Sequence, residues 1–113
     1  MQVENLNLRL GTDLVYMPRL EKHLKNDKFL DKVLTSKERQ LYDALQAPVR
    51  KLEFLAGRYA CKEAYSKALG TGIGQTGFKD IEILKNDLGA PISLQAQVSI
   101  SHDGDYCIAV VLA

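Results

Sequence analysis

A chain of 113 residues with 15 basic and 14 acidic side chains carries a formal net charge of +1. That length excludes a second domain, and that balance excludes a global field able to recruit nucleic acid or a membrane, so any anion site must be built locally. An apolar content of 46% excludes disorder and supports a modest core, since a chain this short buries roughly 60–70% of its unfolded surface.

Leu6, Leu8 and Leu10 alternate with Asn7, Arg9 and Gly11, the period of a strand with one buried face. Gly11-Thr12-Asp13 closes that strand and puts Asp13 at its carboxyl end. Pro18 suits the first turn of a short helix over Arg19, Leu20, Lys22, His23 and Leu24, which Asn26-Asp27 breaks. Thr35-Ser36-Lys37-Glu38 is a capping box, and a helix follows through Leu41, Tyr42 and Leu45. Ala47-Pro48 interrupts it. The longest helix runs from near Val49 to Leu69, with Gly70 as its stop because glycine takes a left-handed conformation without strain. Ile81 and Ile83 mark a second strand, Asn86-Asp87-Leu88-Gly89 a turn, and Ile92 and Leu94 a short apolar edge after Pro91. Val98 and Ile100 begin a further strand, Asp103-Gly104-Asp105 turns the chain, and Tyr106 to Leu112 is the last strand. The sum is one α+β domain over 1–113, with a small antiparallel sheet, a long central helix and shorter helices.

Cys61 and Cys107 lack C-x-x-C spacing and read as buried thiols rather than a disulfide or zinc ligands. No basic stretch followed by an apolar run opens the chain, and no 18 apolar residues occur in succession. The expectation is a cytoplasmic protein without a membrane segment.

The chemistry-bearing residues cluster in the long helix and at two strand ends. Magnesium takes hard oxygen ligands, one or two carboxylates completed by water and phosphate oxygens, and Asp13 with Glu63 is the pair that suits it. Each also has a plainer reading: Glu63 as a helix carboxylate paired with Lys67 four residues on, Asp13 as a turn residue before the Pro18 helix. Glu63 and Lys67 share a helix face, whereas Lys62 lies about 140° away from Lys67. Arg58 adds a planar fork for phosphate oxygens. The same cations also read as a solvated basic face. Gly70-Thr71-Gly72-Ile73-Gly74 follows a helix rather than a strand, which excludes a Rossmann or P-loop motif. The loop either lets backbone approach a ligand or simply ends the helix. His102, after Ser101, suits a phosphate contact or an ordinary hydrogen bond, and no nucleophilic triad is in view.

The runs Gly11 to Val15, Phe29 to Glu38 and Phe54 to Gly74, with Asp80 to Ile83 and Ser101-His102, resemble the small bacterial holo-acyl-carrier-protein synthase family of 4'-phosphopantetheinyl transferases. The resemblance spans nearly the whole chain. It implies that fold, and magnesium-dependent transfer of 4'-phosphopantetheine from coenzyme A to a serine of apo-acyl carrier protein, with release of adenosine 3',5'-bisphosphate. It implies Asp13 and Glu63 as magnesium ligands, and Lys67 at the phosphate bridge. Arg50, Arg58, Lys62, His102 and the glycines Gly70, Gly72 and Gly74 fall beside coenzyme A, and Arg19 at the carrier protein. Glu63 or a metal-associated water accepts the serine proton. The family is typically a homotrimer with active sites between subunits.

Two departures stand out. Cys61 replaces the usual alanine, and the short link before Val98 leaves no room for a helix that family members generally carry there. Loss of that helix would uncover sheet surface or alter an intersubunit contact. It motivates an alternative, a catalytically weak module that binds coenzyme A or the carrier protein. An interaction protein using only its sheet edges would leave the Lys62-Glu63-Ala64 run and the glycine loop unexplained.

Overall fold

The computed structural model describes residues 7–71 and 76–113; Leu6, Gly72, Ile73 and Gly74 lie outside the described residues. The chain runs β1 (Leu10–Tyr16), a 3-10 turn (Met17–His23), α1 (Asp27–Val33), α2 (Ser36–Asp43), α3 (Pro48–Leu69), β2 (Leu84–Lys85), β3 (Pro91–Ile92), β4 (Gln97–Asp103) and β5 (Tyr106–Leu112).

The 22-residue α3 organises everything else. Pro48 occupies its first turn, where the missing N–H would have no helical partner anyway, and Gly70 ends it at φ 74°. Its covered face holds Ala56, Gly57, Ala60, Cys61, Ala64 and Ala68, so the sheet can come unusually near. The antiparallel sheet has the order β1-β5-β4, with β5 paired to both neighbours over seven positions each. Val15 on β1 and Cys107, Ala109 and Val111 on β5 point at α3 and are buried. Both thiols are free, and burial pushes Cys61 up to about 12 and Cys107 to about 11.

At the first strand the structure corrects the sequence reading. β1 begins at Leu10 and continues through Asp13, which pairs with Ala109 in mid-strand rather than ending the element. The covered face is Gly11, Asp13 and Val15; Leu10 and Leu14 are 69% and 60% exposed. A Cβ at Gly11 would lie 1.9 Å from the Ala64 carbonyl oxygen, so only glycine lets the two backbones meet. The leucines, too large for that seam, face outward.

Thr35 forms the expected capping box, donating and accepting with Glu38 at the start of α2. Asn26, read as a break, instead caps α1: its side-chain oxygen accepts from the Phe29 N–H at 3.2 Å. Arg39 on α2 then ties it to α1 through Asp27 and Asp31, and also pairs with Asp43 on its own helix. Ile81 and Ile83 are fully buried but outside any strand. Their backbone groups meet side chains instead: Lys62 donates to the Ile81 carbonyl, Arg58 to the Ile83 carbonyl, and the Ile83 N–H donates to Glu38. β2 and β3 make a two-residue ribbon around the Asn86–Gly89 turn, where Gly89 has φ 86°. Residues 93–96 join β3 to β4 without a helix.

Candidate functional site

Two polar regions flank α3, one at its C-terminal half and one at its N-terminal half. The close approach of Gly11 to Ala64 sets the first, placing Asp13 on β1 beside the α3 turn that carries Glu63 and Lys67. Lys67 Nζ donates to Asp13 Oδ1 at 3.0 Å and to the Thr12 carbonyl at 3.2 Å. Its ion partner is therefore Asp13 across the seam rather than Glu63 on its own helix. Burial raises the Glu63 carboxyl above its usual range, the Asp13 charge raises it further, and Lys67 and Tyr59 pull it back. Tyr59 is raised in turn by burial and by Glu63 and Asp13, while Arg19 opposes the rise. Two half-buried acids that repel each other's charge thus share one seam with a cation and a phenol. Arg19 reaches this neighbourhood from the exposed side of the 3-10 turn.

Among the described residues no cluster of three or more His, Cys, Asp or Glu could hold a metal ion. Asp13 and Glu63 fit magnesium in the other common manner, as two hard oxygen donors with the remaining positions left for water and phosphate oxygens.

The second region is a cavity of about 370 Å³ lined by Arg50, Glu53, Phe54, Arg58, Lys85, Pro91, Ile100 and His102 among others. Gly57 lets Ile100 of β4 pack close to α3 at its wall, since an added Cβ would lie 3.3 Å from the Ile100 side chain. Arg58 lies over the Phe54 ring at 4.0 Å and donates from Nε to the Ile83 carbonyl and from a terminal nitrogen to the Leu84 carbonyl. Burial lowers its proton affinity, though an arginine stays charged at neutral pH. His102 Nε2 lies 3.3 Å from the Glu53 carbonyl oxygen, and Arg50 pairs loosely with Glu53 at 4.0 Å.

Sequence reasoning placed Arg50, Arg58 and His102 among the phosphate-contacting residues, and the fold brings them to one cavity. It placed Lys62 there too, and the structure corrects that. Lys62 is fully buried, with its ammonium donating to Glu38 at 2.8 Å, to Phe78 at 2.7 Å and to Ile81 at 2.9 Å. All three of its protons are committed, so none can reach a ligand. Lys85 was missed. As a flank of the Ile81–Ile83 run it gives no local signal of a site, and only the fold brings it to the cavity. Gly70 has open space around it and serves the helix end; the expectations for Gly72 and Gly74 fall outside the described residues.

The cavity lining does not include Asp13, Glu63 or Lys67. Arg58, the cavity residue on α3 nearest Glu63 in sequence, precedes it by five residues, about 7.5 Å along the axis and about 140° around the helix. Within one chain the acidic seam and the basic cavity are separate.

Residues 9–111 match the family model of the 4'-phosphopantetheinyl transferase superfamily. The chain belongs to that superfamily. The holo-[acyl-carrier-protein] synthase of Geobacillus sp. (strain WCH70) is 48% identical over 111 residues, covering 91% of this chain and 92% of the relative. That of Streptococcus thermophilus (strain ATCC BAA-491 / LMD-9) is 49% identical over 109 residues, covering 90% and 91%. Among solved structures, the Bacillus anthracis holo-(acyl-carrier-protein) synthase in complex with CoA (3',5'-ADP) superposes with a TM-score of 0.82 at 42% identity, covering 92% of this chain and 93% of that one. The Helicobacter pylori enzyme in complex with coenzyme A gives 0.75 at 38% identity, covering 90% and 96%. The α+β architecture of the transferase, a small antiparallel sheet on a long helix, is that of these synthases. No helix among the described residues of the transferase is long and apolar enough to cross a membrane.

Proposed function

We propose that the transferase moves 4'-phosphopantetheine from coenzyme A to a serine of apo-acyl carrier protein, with magnesium held by Asp13 and Glu63. The carrying observation is the acidic seam itself: two acids, one of them raised by burial and then by the other's charge, with Lys67 alongside. The serine oxygen bonds to the β-phosphorus of coenzyme A, the diphosphate bridge to the adenosine side breaks, and adenosine 3',5'-bisphosphate leaves with the electron pair. When bound, the ion supplies neutralisation of the diphosphate charge. Lys67, beside Asp13, would offer a cation to the bridge oxygen on which negative charge grows. Glu63 or a metal-associated water accepts the serine proton. Arg50, Arg58, Lys85 and His102 offer donors for the adenosine phosphates in the basic cavity. Exposed Arg19 offers the acidic carrier protein a cation close to the seam.

The test is the intact mass of apo-carrier protein after incubation with this chain, coenzyme A and Mg²⁺. A gain of one phosphopantetheine, abolished by EDTA, is the expected result. Binding of coenzyme A or carrier without any mass gain would instead support the weak binding module.

The separation of seam and cavity supports an assembly in which one subunit's acids meet its neighbour's cations. The outer face of β1 and β5 suits such an assembly. Leu14 pairs with Ile108 and Tyr16 with Tyr106, and all four are exposed on one side of the sheet with Leu10 and Val110. A homotrimer built on this face predicts that L14D yields monomers by sedimentation and loses transfer activity. A fully active L14D monomer would remove the shared site.

A further inference from the structure

Glu38 and Lys62 are both 0% exposed and bond to each other at 2.8 Å. Burying such a pair is a poor route to stability, because desolvation offsets the attraction and a packed apolar pair does as well. The informative feature is where the remaining donors and acceptors go. Glu38 Oε1 also accepts from the Thr35 N–H, and Oε2 accepts from the Ile83 N–H at 2.8 Å. Lys62 donates its other protons to the Phe78 and Ile81 carbonyls. The backbone from 78 to 83 is thus held by side chains from α2 and α3, Glu38 and Lys62 among them, rather than by a neighbouring strand.

The next acceptors along that same backbone hold the cavity arginine. Arg58 Nε donates to the Ile83 carbonyl at 3.1 Å and its terminal nitrogen to the Leu84 carbonyl at 3.0 Å. Arg58 and Lys62 stand one helical turn apart, so the two anchor points sit one above the other on α3. Lys85, which also lines the cavity, follows directly.

We infer that Glu38 and Lys62 are positioning residues for phosphate binding: by fixing Ile83 they aim Arg58 into the basic cavity. The inference rests on the reading of that cavity as the seat of the adenosine phosphates. Neither residue touches the ligand. Their effect travels through the guanidinium.

The experiment is titration calorimetry with adenosine 3',5'-bisphosphate on the full chain, run as a double-mutant cycle. K62M alone strands a buried carboxylate, so the neutralised pair E38Q/K62M is used, with folding checked by circular dichroism. Its affinity is expected to fall roughly tenfold, and R58A is expected to cost roughly a hundredfold. Introduced into R58A, the same two substitutions should cost less than about twofold, because the residue they act through is gone. Unchanged affinity in E38Q/K62M overturns the inference, as does an equal loss with and without Arg58, the mark of a merely structural role. If E38Q/K62M does not fold, E38Q alone, which keeps the Lys62 bonds to Phe78 and Ile81, takes its place in the cycle, and either of those two results overturns the inference in the same way. R58A binding as tightly as the unmodified chain removes the phosphate reading and the inference with it. Loss in R58A beside unchanged E38Q/K62M removes the inference alone.

Discussion

Glu63→Gln is expected to leave a folded protein whose transfer rate falls by roughly a thousandfold or more. Glutamine keeps the volume of Glu63 and its place on α3 but removes the negative charge that a divalent ion requires. Stability should move the other way. The Glu63 carboxyl is raised above its ordinary range by burial and by Asp13, so its ionised form is less welcome in the folded than in the unfolded chain. For an acid shifted upward, that cost is absent below the unfolded value and is fully present above the folded one. Metal-free E63Q should therefore match the parent protein at acid pH, gain on it as pH rises from the unfolded toward the raised value, and keep that advantage above it, with saturating Mg²⁺ removing the advantage. Thermal unfolding across pH and carrier-protein mass gain measure the two halves separately. A variant that transfers at near-normal rate would remove Glu63 from the site.

Gly11→Ala carries the largest structural penalty expected in the chain. The added Cβ would lie 1.9 Å from the Ala64 carbonyl oxygen and 2.9 Å from both the Ala64 carbonyl carbon and the Ala68 nitrogen. Those are backbone atoms in the last two turns of α3, with no rotamer to give way. Overpacking of side chains costs about 1–3 kcal/mol, and a clash between two backbones should exceed that range. A loss of more than about 3 kcal/mol, or about 10 °C in melting temperature, is the expected outcome. Gly89→Ala is the control: its φ of 86° is unfavourable for alanine but nothing lies within 4 Å, so about 1 kcal/mol should be lost. If G11A melts within a few degrees of the parent protein, the seam is not the tight contact described. Where the variant survives, β1 has moved off α3 and Asp13 has moved with it, so transfer should fall even in the folded fraction.

These two positions show how unevenly the site could be read from the chain. The carboxylate at 63 and the lysine at 67 share a helix face by counting alone, because 3.6 residues per turn leaves little freedom. Asp13 was identifiable through resemblance, but its neighbour was not. Counting pairs Lys67 with Glu63, whereas the fold pairs it with Asp13, fifty-four residues away in sequence. The first strand was misjudged for the opposite reason. Leucines at alternate positions look like a buried face, yet the buried side is glycine, aspartate and valine, because α3 leaves space for nothing larger at Gly11. Lys62 shows a third kind of failure. A lysine on a helix with other cations looks like surface charge, and only Glu38 and two carbonyls arriving from elsewhere explain its burial.

Local chemistry along the chain specified the stops and starts of its helices. Thr35 with Glu38, Pro48 and Gly70 each act within one turn of their own position, so their roles can be read without knowing what packs where. Which strand face meets α3, which cation meets which acid, and which carbonyls orient Arg58 depend on groups brought together from distant segments. Such pairings are chosen by how closely backbones can approach and by where buried polar groups find partners. Neither quantity exists until the chain has closed on itself.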